Sequence, residues 1–157
     1  MLRFMIIATV ISVSSFPMSQ AKAHCQVPCG VYGDQRRFEQ MLEDAVTIAK
    51  AVSQVEEMAE KDDPVSRNQT VRWVMTKETH ASHTQKIVAE YFLTQRIKPT
   101  GDRYVAQLKA AHTVMVAAMK CKQTVDPAAA KALEKSILDL YRAYEGKEPI
   151  FERDTAK

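Results

Sequence analysis

The chain has 157 residues, of which 46% are apolar and 26% charged, with only 4 glycines and 6 prolines. This balance excludes a disordered or collagen-like chain, and the scarcity of Gly and Pro favours long helices over a turn-rich β architecture. The formal net charge is +3, and without Arg3 and Lys22, which lie in a segment expected to be removed, 20 basic residues remain against 19 acidic ones, or +1. A domain this close to neutral is poorly suited to nonspecific binding of nucleic acid. No apolar run reaches the about 20 residues of a membrane-spanning helix, so we expect no membrane anchor in the mature protein.

Residues 1–23 have the features of a secretory leader that is removed. Arg3 provides the positive start, residues 4–13 form a short apolar core, and residues 21–23 (Ala-Lys-Ala) match the small-x-small pattern of a cleavage site. Cleavage there makes His24 the new N-terminus and predicts an exported protein, periplasmic or secreted. Two alternatives are a propeptide that is removed in the cytoplasm and a buried N-terminal helix, which the missing helical periodicity disfavours.

Four helices are predicted after an irregular stretch at residues 24–33. In each, apolar residues recur at steps of three and four, as on one face of an amphipathic helix. Asp34 is a plausible N-cap of the first helix, and Asp126-Pro127 is a strong start signal for the fourth. The predicted helices run from Asp34 to about residue 60, from Ser66 to about residue 97, from Asp102 to about residue 122, and from Pro127 to about residue 146.

Short connections between four one-sided helices predict an all-α fold, an up-down-up-down four-helix bundle over residues 34–146. The inward positions of the second helix include Val71, Val74 and Met75, and those of the third include Met119. The whole mature chain, residues 24–157, is interpreted as one domain.

The irregular stretch carries unusual metal chemistry. If His24 is the N-terminus, its amine, the backbone nitrogen of Cys25 and the Cys25 thiolate can close two fused five-membered chelate rings. The Cys29 thiolate can complete a square plane if the chain turns, and Pro28 and Gly30 favour such a turn. A square-planar set of two nitrogens and two sulfurs favours Ni(II) or Cu(II) over Zn(II), and leaves the His24 imidazole free for an axial position.

Residues 24–32, His-Cys-Gln-Val-Pro-Cys-Gly-Val-Tyr, resemble the nickel hook of nickel-containing superoxide dismutase, and the resemblance extends to about residue 145. It implies an oxidoreductase that converts superoxide to O2 and hydrogen peroxide by Ni(II)/Ni(III) cycling. It also implies one nickel per chain, ligated by His24, Cys25 and Cys29, and a homohexamer of four-helix bundles.

The resemblance assigns roles to three further residues. Tyr32 and Tyr91 match tyrosines that line the approach to the metal, and Glu39 matches a glutamate that orients the axial imidazole through a hydrogen bond. Two positions depart from the family pattern. Gln26 stands where the best-known members have Asp, and His80 stands in place of a second-helix Arg that supports the axial His in some members.

Other interpretations of the same residues remain open at this point. The alternative function is a non-enzymatic exported helical bundle that binds copper or nickel, or in which Cys25 and Cys29 form a disulfide. His80 and His83, one turn apart, could share a metal, or belong to a solvated or capping face. Cys121, at the end of the third helix, is expected to be a structural thiol.

Overall fold

The computed structural model describes residues 33–151, and these residues form an all-helical bundle. A π-helical segment, Ile87–Arg96, continues directly from the second helix. The four α-helices are α1 (Gln35–Met58), α2 (Pro64–Lys86), α3 (Tyr104–Gln123) and α4 (Pro127–Glu145).

The helices pack in cyclic order, each against its neighbours in the chain, with α1 also against α4. Contacts between α1 and α2 run antiparallel, because Asp34 meets Tyr91 while Asp44 meets His80. Connections of a few residues join the helices. This arrangement confirms the predicted four-helix bundle.

Local chemistry accounts for most helix ends. Asp63 and Asp126 are N-caps whose carboxylates accept backbone N–H groups of the first turn, and each is followed by Pro at the first helical position. Gly146 ends α4 in the left-handed region, at φ 74°, and its N–H donates to Arg142 O. The start of α2 at Pro64 is two residues earlier than predicted, because the Asp63-Pro64 pair begins this helix as Asp126-Pro127 begins α4.

The core is continuous and lies between all four helices. An aromatic cluster fills the end of the bundle from which α1 begins, with ring centroids 4.7–5.9 Å apart. Its members are Phe38, Phe92, Tyr141, Tyr144 and Phe151. Aromatic rings at these separations add to the stability that their burial provides.

The prediction of which residues face the core was wrong for the first half of α2. Val71, Val74 and Met75 are 58%, 36% and 64% exposed, while the buried stripe runs through Lys77 and Ala81. At 100° per residue, Val71 lies about 120° and Met75 about 160° around the helix from Lys77. The apolar spacing in this half of α2 therefore does not mark the core face.

A smaller error of the same kind occurs in α3. Met119, predicted to face inward, is 41% exposed, and the buried residues of that helix are mostly small: Ala111, Val114, Ala117, Ala118 and Cys121. Tyr104, Leu108 and Met115 pack partly buried against this core, so the predicted face of α3 was wrong only at its end.

The buried face of α2 differs from the predicted one because it contains Lys77, which is 3% exposed. Its ammonium donates to the carbonyls of Cys121, Lys122 and Thr124 at 2.6, 2.8 and 3.0 Å. These carbonyls belong to the last turn and the end of α3, where no intrahelical donors remain. A cation at a helix C-terminus also interacts favourably with the helix dipole, so Lys77 stabilises the packing of α2 against the end of α3.

Candidate metal centre

The predicted metal ligands His24, Cys25 and Cys29, and the predicted entrance residue Tyr32, lie outside the described residues. What the structure describes is the surface on which residues 24–33 join the bundle. That junction begins at Gly33, whose φ is 77°, and at Asp34, which precedes α1. Two predicted site residues, Glu39 and Tyr91, lie within the described part.

Asp34 is the centre of a polar cluster that we call the Asp34 clamp, formed by Asp34, Tyr91, Arg96 and Tyr144. Tyr91 Oη donates to Asp34 Oδ1, and Tyr144 Oη donates to Oδ2 at 2.5 Å. Arg96 Nη2 donates to the same Oδ2 at 2.6 Å. The Asp34 side chain is only 8% exposed, so the clamp holds a nearly buried carboxylate where α1, the π-helical segment and the end of α4 meet.

Asp34 occupies the N-cap position of α1 as predicted, but its side chain does not cap the helix. Its carboxylate is directed instead at two phenols and a guanidinium. This role of Asp34 was not predicted, and neither Arg96 nor Tyr144 lies in a sequence motif that would point to it.

The π-helical segment explains how Tyr91 and Arg96 reach one carboxylate. On an α-helix, residues five apart point about 140° away from each other. In a π-helix, the hydrogen bonds join residues five apart, so that such residues lie nearly above one another. Thr94 Oγ1, five residues after Ala89, donates to Ala89 O at 2.7 Å within this wider coil. The segment therefore aligns Tyr91 and Arg96 on the same side.

The clamp changes the acid–base properties of its members. Burial alone would raise the pKa of the Asp34 carboxyl, but the hydrogen bonds from Tyr144, Tyr91 and Arg96 outweigh it and lower that pKa below its ordinary value. Burial and the hydrogen bond to Asp34 raise the pKa of Tyr91 to about 12. The same two causes raise the pKa of Tyr144 further. Asp34 is therefore ionised and both phenols keep their protons at neutral pH.

Glu39 lies on α1, one turn after Gln35, and is half-buried. Gln35 Nε2 donates to Glu39 Oε1 at 3.2 Å. Together with Gly33 and Arg36 these two residues line an open depression of about 770 Å³. Glu39 thus lies beside the residues that lead into the predicted hook.

Tyr91 lines a different and smaller recess, of about 130 Å³. The recess is lined by Arg37, His83, Lys86, Ile87 and Tyr91. The Arg37 guanidinium lies over the Tyr91 ring, 5.0 Å from its centroid, in the geometry of a cation–π contact. The structure places Glu39 and Tyr91 at the same end of the bundle, but it does not bring them into one pocket among the described residues.

His80 and His83 share a partner that the sequence did not reveal. His80 Nδ1 lies 2.7 Å from Asp44 Oδ1, and His83 Nδ1 lies 2.8 Å from Asp44 Oδ2. Thr84 Oγ1 donates to Oδ2 at 3.0 Å. Asp44 is buried, so neither histidine is merely a solvated surface residue.

Cys121 is a buried thiol without a disulfide, and its Sγ donates to Ala129 O at 3.4 Å. Burial raises its pKa to about 11, which keeps it protonated and unreactive at neutral pH. The expectation of a structural thiol is confirmed.

No cluster of three or more His, Cys, Asp and Glu residues able to hold a metal occurs between residues 33 and 151. Across the same residues, every helix is too short or too polar to cross a bilayer.

Comparison with known proteins assigns the family. The family model described as nickel-containing superoxide dismutase matches residues 19–148, a range that includes the predicted hook and the four helices. The comparisons with curated proteins and with solved structures each gave no match. Because the family model covers most of the chain, the protein belongs to the nickel-containing superoxide dismutase family and is an oxidoreductase with a nickel cofactor.

Proposed function

We propose that the nickel of this enzyme is held by the hook at residues 24–33, one ion per chain. The groups that would hold it are the amine and imidazole of His24, the backbone nitrogen of Cys25 and the thiolates of Cys25 and Cys29. The observation that carries this proposal is the match of the nickel-containing family to a range that includes these residues. The donors also fit the metal, since thiolates and nitrogens in a plane suit Ni(II).

The reaction consumes two superoxide ions and two protons and produces one O2 and one H2O2. When bound, nickel supplies the one-electron Ni(II)/Ni(III) couple that both halves of this reaction need. The protein has to bind the ion, admit a small anion and allow protons to reach it.

The Asp34 clamp supports the assignment of Tyr91 to the entrance of this centre. Asp34 follows Tyr32 by two residues in the chain, and the Tyr91 hydroxyl donates to its carboxylate. Tyr91 is thereby tied to the point at which the hook enters the bundle. Because its proton is directed at Asp34 and its pKa is about 12, we expect the protons for peroxide formation to come from water.

Two groups near Tyr91 favour the approach of an anion. Arg37 and Lys86 line the recess beside its ring, and positive charge near a site raises the association rate of a negatively charged substrate. We also propose that Glu39 orients the His24 imidazole; its position on the first turns of α1, beside Gly33, supports this role.

The remaining proposals concern the processing and assembly of the chain. Residues 1–23 are a leader whose removal exposes His24, and the protein is exported. We further propose a homohexamer, because about ten hook residues have no core of their own and would gain burial against a neighbouring subunit.

Nickel analysis of chains with a defined N-terminus tests the hook. Protein confirmed by mass spectrometry to begin at His24 should hold about one tightly bound nickel and show thiolate charge-transfer absorption. The matched variant carries one extra Ala before His24, which moves the amine out of the chelate and should abolish both nickel retention and superoxide turnover. Retained activity in that variant, or a disulfide between Cys25 and Cys29 in the active protein, would refute the ligand assignment.

A further inference from the structure

The chain that follows α4 runs back to the start of α1, and we call its residues 147–151 the strap. The strap begins after the left-handed turn at Gly146. It ends on Phe151, whose ring is 4% exposed and packs edge-on against Tyr141 with centroids 5.2 Å apart. The family model matches residues 19–148, so the buried end of the strap lies beyond that match. Because displacing a buried aromatic ring is costly, Phe151 fixes the position of the strap.

The Gln35 side chain connects the strap to Glu39. Gln35 is the first residue of α1, and its Nε2 donates to Ile150 O at 3.4 Å and to Glu39 Oε1 at 3.2 Å. A side-chain amide nitrogen carries two hydrogens, so one Gln35 can make both hydrogen bonds at once. The carbonyl of the residue before Phe151 therefore limits the directions in which the Gln35 amide can point.

These contacts engage one oxygen of Glu39 and leave the other available. Oε1 accepts from the Gln35 amide, and among residues 33–151 no hydrogen bond is made to Oε2. An ionised carboxylate only accepts hydrogen bonds, so Oε2 can accept from the N–H of an imidazole. Because Gln35 holds the first oxygen, the direction of the second is restricted.

We propose that Gln35 and the strap position Glu39 so that its second oxygen meets the His24 imidazole of the hook, an inference that rests on the role of Glu39 proposed above. Gln35 acts through Glu39 and is a positioning residue, and the Ile150 carbonyl positions Gln35 in turn. Loss of a residue that orients a metal ligand directly lowers metal affinity or activity by about 10–100-fold. Gln35 is one contact further from the metal, so its loss should have a smaller effect, of about 3–10-fold.

The two hydrogen bonds of Gln35 are suited to restricting direction and contribute little to stability. Both are exposed, and the longer one, at 3.4 Å, lies outside the range of about 2.7–3.2 Å that strong hydrogen bonds of this kind occupy. Gln35→Met keeps the length of the side chain and removes the donor. This variant should unfold within about 2 °C of the parent, so a change at the metal site would not be a consequence of lost stability.

The test uses the mature, nickel-loaded chain that begins at His24, with Gln35→Met as the main variant. Its readout is the nitrogen hyperfine splitting from the His24 imidazole in the electron paramagnetic resonance spectrum of the oxidised enzyme, measured beside superoxide turnover. We expect Gln35→Met to reduce this splitting and to lower turnover about 3–10-fold. Ile150→Ala removes a side chain that is 76% exposed and keeps the carbonyl, so this matched control should behave as the parent does.

Phe151→Ala tests the anchor of the strap, in protein that circular dichroism shows to be folded. It should reduce the imidazole splitting and the turnover as Gln35→Met does. Leu133→Ala is the control for lost core packing, since Leu133 is fully buried on α4 and lies about 12 Å along the helix from Tyr141. It should leave the splitting unchanged.

A second readout does not need the metal. In the metal-free chain, nuclear Overhauser contacts should join the Gln35 amide protons to Ile150 and to Glu39. Phe151→Ala should remove the contacts to Ile150, because the strap is no longer anchored.

An unchanged splitting together with turnover within twofold of the parent in Gln35→Met would overturn the proposal. So would a metal-free parent chain without contacts between Gln35 and Ile150. Failure of the hook assignment gives a different result, because the parent enzyme itself would then lack the His24 imidazole splitting.

Discussion

Removal of the Asp34 carboxylate should destabilise the bundle more than any single change on its surface. Asp34→Ala leaves the Tyr91 and Tyr144 hydroxyls and the Arg96 guanidinium without their shared acceptor. Breaking a buried charge pair by deleting one partner costs about 3–5 kcal/mol, and Arg96, at 36% exposure, can recover part of this from water. We therefore expect a loss of about 3 kcal/mol for Ala. Asn keeps one carbonyl acceptor and should cost about 2 kcal/mol.

Urea unfolding and thermal unfolding, each followed by circular dichroism and by Trp73 fluorescence, measure these losses. A domain of this size loses about 4 °C of Tm per kcal/mol, so Asp34→Ala should unfold about 12 °C below the parent. Asp102→Asn changes an exposed acid in the connection before α3 and should stay within about 0.5 kcal/mol of the parent. If Asp34→Ala costs less than about 1 kcal/mol, the clamp does not hold the junction together.

The pH dependence gives a second, independent check on the same carboxylate. The folded-state pKa of Asp34 lies below its unfolded value, so its contribution to stability is present above about pH 4 and is lost as the pH falls through the folded-state pKa. The stability difference between the parent and Asp34→Asn should therefore be largest near pH 7 and shrink on acidification below about pH 4. A difference that does not change between pH 7 and pH 2 would show that the charge is not the source of the effect.

Three further predictions concern Lys77, Cys121 and Gly146. Lys77→Met removes the ammonium that donates to three carbonyls at the end of α3. It should lower the free energy of unfolding in urea by about 3 kcal/mol. Lys120→Met, at an exposed position of α3, is the control and should change that free energy little. In a chain whose hook cysteines are serines, the Cys121 thiol should react with a disulfide reagent at pH 8 only as fast as the protein unfolds, and a rate equal to that of a free thiol would contradict its burial. Gly146→Ala places a Cβ at φ 74° against the Arg103 side chain and should lower stability by about 1 kcal/mol, with Gly146→Asn closer to the parent.

The sequence was sufficient for the elements whose determinants are local. The Asp-Pro start of α4 and its Gly stop were predicted because each depends on the residues at that position. The same signal occurs at Asp63-Pro64, where Asp63 is the N-cap of α2, although this helix was predicted to begin only at Ser66. A local signal was present there and was not used.

The face that α2 buries could not be predicted from its apolar residues alone. Periodicity selects the stripe with the most apolar residues, and in the first half of α2 that stripe includes Val71 and Met75. The structure buries Lys77 instead, because its ammonium meets three carbonyls from a helix 44–47 residues away. The sequence alone does not show that this lysine is buried, because the carbonyls that accept its hydrogen bonds are brought to it only by the tertiary structure.

The proposed nickel ligands and the Asp34 clamp also differ in how far the sequence could predict them. The proposed nickel ligands lie within six consecutive residues, His24 to Cys29, so that one turn of the chain would bring them together, and the residue types are enough to suggest the metal. The Asp34 clamp joins residues that are 57, 62 and 110 positions apart, and its alignment depends on a π-helical segment that an α-helical period does not predict. The sequence therefore predicts the chemistry proposed for His24 to Cys29, whereas the contacts of Asp34, which precedes α1, depend on the fold. Its carboxylate accepts hydrogen bonds from two phenols and a guanidinium and does not cap the helix.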